Sequence, residues 1–282
     1  MKTITSPSKM TEFVRKAIRS GKRVGFVPTM GYLHDGHISL ARNAEKENNI
    51  VVMSIFVNPV QFGPNEDYKK YPRDFKRDAR LAKKEGVDAI FYPAVKDMYL
   101  ANHSAYVTVE NLSNNLCGRS RPGHFRGVAT VAIKLLNIVP ANSVYLGQKD
   151  AQQAFIIKRM ARDLNIPVDI KVVSTVREKD GLAMSSRNVY LNDSQRCEAP
   201  AIFRSLSLAR RLIRQGERNS SKIIKAIRDF ITGNSSAKID YISIVDTVNL
   251  RDIRTLKGEI LIAIAAYFGK TRLIDNVILK IF

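Results

Sequence analysis

Cysteine is scarce in this sequence and tryptophan is absent. The two cysteines, Cys117 and Cys197, lie far apart, and neither belongs to a Cys-x-x-Cys pair. This usage excludes a disulfide scaffold, argues against a thiolate metal cluster and fits a reducing compartment. Glycine (15 residues) and proline (10 residues) are too few among 282 residues for a collagen-like or low-complexity chain.

Long apolar runs are missing as well. The longest run, Ile260 to Phe268, is about half as long as a membrane-spanning helix. The first ten residues, MKTITSPSKM, lack the apolar stretch of a secretory signal. We therefore expect a cytoplasmic protein of enzyme size that does not have a membrane as its partner.

Acidic residues are outnumbered by basic ones. Lys and Arg total 46 against 26 Asp and Glu, which gives a formal net charge of +20. A nucleic acid, an acidic membrane or an anionic substrate would each suit such a charge. The excess is spread along the whole chain, and neither zinc-finger spacing nor an RRM-type aromatic motif occurs. Solubility or the attraction of anions is therefore favoured over a specific nucleic-acid partner.

Short apolar runs alternate with segments of helical periodicity between residues 23 and 175. This alternation predicts an α/β fold, a Rossmann-like, doubly wound parallel sheet with helices on both faces. In such sheets, ligands bind beyond the carboxyl ends of the strands. The predicted strands are RVGFVPT, NIVVMSIFV, VDAIFYP, NSVYLG and PVDIKVV, and the predicted helices are ISLARNAEKE, DFKRDARLAKKEG, FRGVATVAIKLLNIV and AQQAFIIKRMARDLN.

The rest of the chain has helices first and strands afterwards. Two helical stretches, at about 193–216 and 220–232, precede the strand-like runs KIDYISIVD, EILIAIAAYF and TRLIDNVILKIF. This order predicts a smaller α+β domain. The predicted domains are therefore 1–175 and 176–282.

The strongest chemical signal is the segment PTMGYLHDGH, which follows a predicted strand and opens a predicted helix. Free N–H groups at a helix N-terminus suit a phosphate, and Gly31 and Gly36 allow close backbone approach. It is not a P-loop, because His37 and Ile38 stand where Lys and Ser/Thr are needed. His34 and His37 are placed to donate to phosphate oxygens. An incomplete metal pair and a structural pair without a role are the alternatives.

Two further loops carry charged groups after apolar runs. In SVYLGQKDAQQ, Lys149 suits phosphates, and Asp150 either caps a helix or holds a ribose or a metal. In REKDGLAMSSRN, two hydroxyls followed by Arg187 form a clamp for phosphoryl charge. Each loop has a plain structural alternative, a helix cap beside a solvated lysine for the first and a glycine turn with a linker for the second.

A fourth loop carries amides instead of charge. The run SIFVNPVQFGP places Asn58 and Gln61 after a buried strand, where amides can recognise hydroxyl and carboxylate groups. Taken alone, such a loop is more often structural. All four loops nevertheless fall at predicted carboxyl ends of strands or at the domain boundary, which favours a single nucleotide site.

A histidine-rich first turn followed by Met-Ser-Ser-Arg resembles the HIGH-motif nucleotidylyltransferases and class I aminoacyl-tRNA synthetases. Within that superfamily, the chain is similar to the pantoate–β-alanine ligase (pantothenate synthetase) family. The similarity covers most of residues 24–191, while the C-terminal residues agree only in length and type. It runs in order through PTMGYLHDGH, SIFVNPVQFGPNEDYKKYPR, CGRSRPGHFRGVATVA, VYLGQKDAQQ and REKDGLAMSSRNVYL.

This resemblance implies an ATP-dependent ligase of pantothenate biosynthesis. ATP would convert the carboxylate of (R)-pantoate into an acyl adenylate with release of pyrophosphate, and the β-alanine amine would then displace AMP. Mg²⁺ is implied as a companion of ATP, held by phosphate oxygens and water rather than by a protein metal site. A homodimer is also implied, and the small C-terminal domain is expected to act as a lid.

The family's site residues carry over to matching positions of this sequence. The implied catalytic residues are His37, as proton donor, with His34, Lys149 and Arg187. Gln61 is implied to contact pantoate and β-alanine, and Gln153 to contact pantoate. Asn58 is implied as a further substrate-binding residue close to them. The implied ATP contacts, with no side-chain role for Gln148, are Met30, Gly31, Tyr32, Leu33, His34, Asp35, Gly36, His37, Gly147, Gln148, Lys149, Asp150, Val176, Met184, Ser185, Ser186 and Arg187.

Three functions from other classes are alternatives. A tRNA synthetase needs RNA-reading domains for which 282 residues leave little room, and MSSRN lacks the lysines of the synthetase loop. A simple nucleotidylyltransferase would need no second substrate pocket and no C-terminal domain. A basic RNA-binding protein would explain the charge but not the four loops.

Overall fold

The computed structural model describes residues 1–64 and 66–282, and these form two units. The first unit comprises residues 1–113, 121–148 and 153–174. The second comprises residues 114–120, 149–152 and 175–282. Two short segments therefore group with the C-terminal residues although they lie far from them along the chain.

The first unit contains a parallel sheet of six strands in the order β1-β4-β3-β2-β5-β6. Successive strands from β2 to β4 build towards one edge, whereas β5 and β6 extend from β2 towards the other. The reversal between β2 and β5 is the place where doubly wound sheets bind ligands. The strands are β1 (Lys2–Ile4), β2 (Val24–Thr29), β3 (Ile50–Ile55), β4 (Ala89–Phe91), β5 (Ser143–Gly147) and β6 (Asp169–Val173).

Local chemistry sets where the helices of residues 1–174 begin. Ser6 caps α1 directly ahead of Pro7, and Asp74 caps α3 by accepting the Arg77 N–H group. The apolar faces of α2 and α3 pack with β2, β3 and β4 in one core. The helices are α1 (Pro7–Arg19), α2 (Asp35–Glu47), α3 (Phe75–Lys84), α4 (Val95–Met98), α5 (Cys117–Ser120), α6 (His124–Ile138) and α7 (Ala151–Asp163).

The predicted Rossmann-like α/β fold is confirmed. Each of the five strands and four helices expected between residues 23 and 175 is present at its predicted place. The edge strand β1 leaves no periodic signal, because three residues are too few to show alternation.

The main body of the second unit is an antiparallel sheet in the order β7-β8-β9, packed with helices. Isoleucines four residues apart on α10 (Ile223, Ile227 and Ile231) share one core with the central strand β8. The elements are α8 (Asp193–Glu198), α9 (Ala201–Arg214), α10 (Ser220–Asn234), β7 (Lys238–Asp246), β8 (Gly258–Phe268) and β9 (Thr271–Ile281).

The predicted order of helices before strands is confirmed in this unit, with one difference. The stretch 193–216 is divided into α8 and α9 at Ala199 and Pro200. Proline lacks the backbone N–H group that a continuous helix would need there.

Within the described part of the chain, no helix is both long enough and apolar enough to cross a bilayer.

Candidate active site

A strained turn joins β2 to α2. Gly31 and Tyr32 have φ angles of 83° and 51°, so two successive residues adopt the left-handed conformation. A Cβ atom at position 31 would lie 2.9 Å from the Ile55 side chain and 3.0 Å from that of Asp78, which explains the glycine. The turn places the N-terminus of α2 directly beyond the carboxyl end of β2.

Asp78 of α3 stabilises this turn through two hydrogen bonds. Its buried carboxylate accepts the backbone N–H groups of Tyr32 at 2.7 Å and Leu33 at 2.8 Å. Burial raises the pKa of Asp78, and the two hydrogen bonds partly oppose this effect. Asp78 gives no signal in the sequence, since no local pattern connects position 78 with the turn.

His34 and His37 lie side by side at the start of α2, with ring centroids 4.1 Å apart. His34 Nδ1 accepts the Gly36 N–H at 3.1 Å, and His37 Nδ1 accepts the His34 N–H at 3.4 Å. Because both Nδ1 atoms act as acceptors, each neutral ring carries its proton on Nε2. The pair therefore presents Nε2–H donors, which suit an anion better than a metal ion.

The loop that carries Asn58 and Gln61, called the amide loop below, lies next to the turn after β2, called the β2 turn. Asn58, which is 1% exposed, caps the one-turn 3-10 helix Pro59–Gln61. The Gln61 Nε2 atom lies 3.2 Å from the Met30 Sδ atom. The structure thus brings together two of the loops that the sequence singled out, and Gln61 is directed towards the β2 turn.

Helix α6 packs tightly beneath the amide loop. A Cβ atom on Gly127 would lie 2.5 Å from the Val60 carbonyl oxygen and 2.7 Å from the Gln61 Cα atom. The Asn58 Nδ2 atom also donates to the Gly127 carbonyl at 3.1 Å. Glycine is required here because no side chain fits between the helix and the loop.

A charged network holds the Gln61 backbone. Arg121 pairs with the Glu66 carboxylate and donates to His124 Nε2 at 2.9 Å, and His124 Nδ1 lies 2.8 Å from the Gln61 carbonyl oxygen. Since arginine only donates, His124 accepts through Nε2 and donates from Nδ1. Burial alone would raise the pKa of Glu66, but Arg121 holds it below its usual value. The sequence predicts no site role for these residues, although Arg121 and His124 lie in the run CGRSRPGHFRGVATVA.

The end of β5 lies at the same edge of the sheet as the end of β2, because the two strands are parallel neighbours. Gly147 is the last residue of β5, and Gln148 opens a one-turn 3-10 helix. Gln153 is half-buried near the start of α7. This edge of the first unit therefore carries residues from three of the four predicted loops.

Lys149 and Asp150 belong to the second unit and form an ion pair of 3.5 Å. Only 20% of the Lys149 side chain is exposed, and the Lys149 carbonyl oxygen accepts the Asn276 Nδ2 group at 2.9 Å. Lys149 is therefore not the fully solvated lysine of the structural alternative.

Residues 177–188 form a turn that is fixed by hydrogen bonds, an ion pair and packing, and not an unstructured linker. An isolated bridge joins Arg177 to Ala183, and Arg177 pairs with Asp275 at 2.6 and 3.0 Å. At Gly181 the φ angle is 96°, and a Cβ atom would overlap the Phe203 ring. The turn is thus specified by close packing within the second unit.

The Met-Ser-Ser-Arg segment follows this turn directly. The Met184 N–H group donates to the Val176 carbonyl at 3.0 Å, so these two predicted site residues are neighbours. Ser185 caps the 3-10 helix Ser186–Tyr190 by accepting the Arg187 N–H at 3.2 Å. The second unit therefore holds Lys149, Asp150, Val176 and Met184–Arg187.

Comparison with known proteins identifies the family. Residues 2–278 match the family model described as Pantoate-beta-alanine ligase. The pantothenate synthetases of Caldicellulosiruptor saccharolyticus and Pelotomaculum thermopropionicum are 53% and 55% identical to this chain. The alignments cover 97% of each chain in the first case and 96% of each in the second.

Solved structures agree with this match. Pantothenate synthetase from Thermus thermophilus has a TM-score of 0.93 and 41% identity, covering 98% of this chain and 99% of that one. Pantoate-β-alanine ligase from Francisella tularensis, solved with β-γ ATP and β-alanine, has a TM-score of 0.79 and 36% identity, covering 98% and 97%. Because nearly all of its residues are matched in sequence and in fold, this chain belongs to the pantoate-β-alanine ligase family.

Proposed function

We propose that this chain joins (R)-pantoate to β-alanine with the conversion of ATP into AMP and pyrophosphate. Family membership carries the proposal, and the Francisella tularensis relative was solved with β-γ ATP and β-alanine. The intermediate we propose is pantoyl adenylate, because a carboxylate is a poor electrophile until it bears a phosphoryl leaving group.

Two displacements complete the reaction. A pantoate carboxylate oxygen forms a bond to the α-phosphorus of ATP, and the bond to pyrophosphate breaks. The β-alanine nitrogen then forms a bond to the acyl carbon, loses a proton, and AMP departs. The protein's main contributions are to align the reactants and to stabilise charge on the phosphates.

We assign the phosphates of ATP to the turn after β2. The Nε2–H groups of His34 and His37 are donors to phosphate oxygens, and the backbone from Met30 to Gly36 allows close approach. His37 would act as a proton donor or by stabilising phosphate charge. Pyrophosphate needs no proton in order to leave, so hydrogen-bond donation is sufficient for this step.

The second unit supplies the other proposed nucleotide contacts. Lys149, Ser185, Ser186 and Arg187 are assigned to the phosphates, Asp150 to the ribose and the Val176 backbone to adenine. Gly147 and Gln148 are assigned to the nucleotide through their backbone. In the proposed role of a lid, ATP would slow amide hydrogen exchange at residues 177–190, and unchanged exchange would argue against it.

Gln61 and Gln153 are the proposed contacts to pantoate, and Gln61 also faces β-alanine in this proposal. Mg²⁺ would arrive with ATP and neutralise phosphate charge, held by phosphate oxygens and water. Among the described residues, no group of three or more His, Cys, Asp or Glu is placed to bind a metal ion. A second copy of the chain is the proposed partner, which sedimentation velocity would detect.

The test is an assay of pyrophosphate and AMP with ATP, Mg²⁺ and pantoate, with and without β-alanine. With both acids, we expect continuous turnover and pantothenate. Without β-alanine, we expect about one pyrophosphate per active site, since the adenylate stays bound. Pyrophosphate release that does not depend on pantoate would overturn the proposal and indicate a different acceptor.

A further inference from the structure

The Asn58 side chain uses all of its hydrogen-bonding capacity inside the protein. Its Oδ1 atom accepts the Val60 N–H at 3.3 Å and the Tyr99 O–H at 2.8 Å. Its Nδ2 atom donates to the Gly127 carbonyl and to Gln61 Oε1, both at 3.1 Å. An amide side chain has two acceptor sites and two donor hydrogens, so none is left for a substrate.

Backbone groups determine the orientation of this amide. A backbone N–H can only donate and a carbonyl can only accept, so Val60 selects Oδ1 and Gly127 selects Nδ2. The Nδ2 group then donates to Gln61, which in turn makes Oε1 the inner end of the Gln61 amide. The outer end, Nε2, lies 3.2 Å from Met30 Sδ in the β2 turn.

Tyr99 is the outer member of this chain of hydrogen bonds. It follows α4, lies outside every motif of the sequence analysis and is half-buried. Burial raises the pKa of Tyr99 well above its usual value, so its hydroxyl stays a donor at any ordinary assay pH. The hydroxyl occupies the second acceptor site of Asn58 Oδ1 and so opposes rotation of that amide.

We propose that Tyr99 and Asn58 are positioning residues that act through Gln61, keeping its Nε2 group turned towards the substrate. Gln61 then offers hydrogen-bond donors, which suit the carboxylate and hydroxyl oxygens of pantoate and the carboxylate of β-alanine, but not the β-alanine amine. The inference rests on the proposed function for the identity of that substrate, pantoate. It also replaces a substrate contact by Asn58 with an indirect role.

The test is a double-mutant cycle between Tyr99→Phe and Gln61→Ala, with steady-state AMP formation as the readout. In the otherwise unchanged chain, Tyr99→Phe should raise the KM for pantoate about two- to tenfold, the range of one neutral hydrogen bond. The KM for ATP should not change. In the Gln61→Ala background the same substitution should change the KM for pantoate less than twofold, because its target is absent.

Tyr106→Phe is the matched control, since the Tyr106 hydroxyl has no hydrogen-bond partner among the described residues. It should leave both KM values unchanged. An equal effect of Tyr99→Phe with and without Gln61 would overturn the inference, as would no effect in either background. A wild-type chain without pantoate-dependent turnover would instead overturn the proposed function, which keeps the two failures distinct.

Asn58→Asp provides a second variant of nearly equal size. The carboxylate can only accept, so Gln61 would turn its Nε2 group inward and present Oε1 to the pantoate carboxylate. We expect the KM for pantoate to rise about 10- to 100-fold, the range for a hydrogen bond to a charged group, while thermal unfolding shows a folded chain. A folded Asn58→Asp protein with an unchanged KM for pantoate would overturn the orienting role.

Discussion

At the scale of single residues, backbone groups decide how the polar side chains of this site point. The Nδ1 atoms of His34 and His37 are occupied by backbone N–H groups, and the Asn58 amide lies between Val60 and Gly127. Donors that are oriented before substrate arrives need no rearrangement during the reaction. The side chains of this candidate site are therefore oriented before any ligand binds.

Replacement of His37 tests how much one such donor contributes to kcat. We expect His37→Ala to lower kcat by about 100-fold or more, the usual loss for a donor to developing charge. The measurement is pantoate-dependent AMP formation at saturating substrates. Near-normal turnover would contradict the catalytic assignment of His37.

His37→Gln separates the two proposed roles of this residue. A glutamine amide can donate a hydrogen bond but cannot transfer a proton at neutral pH. If charge stabilisation is sufficient, His37→Gln should retain clearly more activity than His37→Ala. Equal losses in the two variants would favour proton donation instead.

At the scale of elements, helices that carry no assigned site residue hold the loops that do. Asp78 ties α3 to the turn after β2, and α6 supports the amide loop through Gly127 and His124. The loops therefore depend on two helix faces for their shape. A substitution that disturbs either helix face should therefore weaken substrate binding and lower the stability of the fold.

Gly127→Ala should disturb the amide loop without altering any chemical group. The added methyl meets the Val60 carbonyl oxygen at 2.5 Å, so either the loop or α6 must move. We expect a loss of about 1–3 kcal/mol in the free energy of unfolding, as for other overpacked sites, and a higher KM for pantoate. Urea unfolding and steady-state kinetics provide the two measurements.

Gly233→Ala is the control for this substitution. Gly233 lies in α10, and apart from its chain neighbours and the adjacent helix backbone no heavy atom lies within 4 Å of the position that a Cβ would occupy. Alanine there should be neutral or slightly stabilising. A Gly127→Ala protein as stable and active as the Gly233→Ala protein would contradict the packing argument.

Asp78→Ala should weaken the turn after β2. It would leave the Tyr32 and Leu33 N–H groups without their acceptor, so we expect the free energy of unfolding to fall by about 2–5 kcal/mol. The KM for ATP should rise because the turn carries the proposed phosphate donors. Asp163→Ala, at an exposed carboxylate, is the control and should change stability by less than about 0.5 kcal/mol. Equal stability of the two variants would refute the support assigned to Asp78.

At the scale of the whole molecule, stability should be greatest on a plateau between acid and alkaline limits. For Glu66 and Asp180, burial is the largest single effect and raises the pKa, but hydrogen bonds and nearby arginines together exceed it. At Glu85, Glu198 and Glu217, hydrogen-bond donors are the main cause of the lowered pKa. Arginine or lysine charge also lowers the pKa of Glu85 and Glu217. The carboxyl groups with a lowered pKa include Glu66, Glu85, Asp180, Glu198 and Glu217.

The directions of these pKa shifts determine the acid limit and the alkaline limit of the stability plateau. A carboxyl whose pKa is lower in the folded state stabilises the fold above its unfolded pKa, and this contribution is lost as the pH falls. Burial raises the pKa of Tyr99 and Tyr145, so their contribution is present below their unfolded pKa and lost as the pH rises. We expect the thermal midpoint to be highest between about pH 5 and 9 and to fall on both sides.

Thermal unfolding at a series of pH values checks this expectation. Glu66→Gln should make the acid-side decline less steep, because it removes one group whose pKa is lowered. A thermal midpoint that rises towards acid pH would contradict the signs given above.

The local elements and the four candidate loops can be predicted from the sequence alone. Alternation identified the strands because their apolar residues cover a buried sheet, and β7 follows its predicted run KIDYISIVD from Lys238 to Asp246. The motifs identified PTMGYLHDGH and the amide loop because glycine turns, histidines and amides leave short-range signals. Each of these features depends on residues close together in the chain.

The residues that support those loops are identified by the folded structure and not by the sequence. Asp78 meets Leu33 across 45 positions, Tyr99 meets Asn58 across 41, and Gly127 meets Asn58 across 69. The folded structure also grouped residues 114–120 and 149–152 with the C-terminal unit. Such contacts follow from the order of strands in the sheet and the close packing of helices on it. No local periodicity or motif spacing records them, since the partners share no segment of the chain.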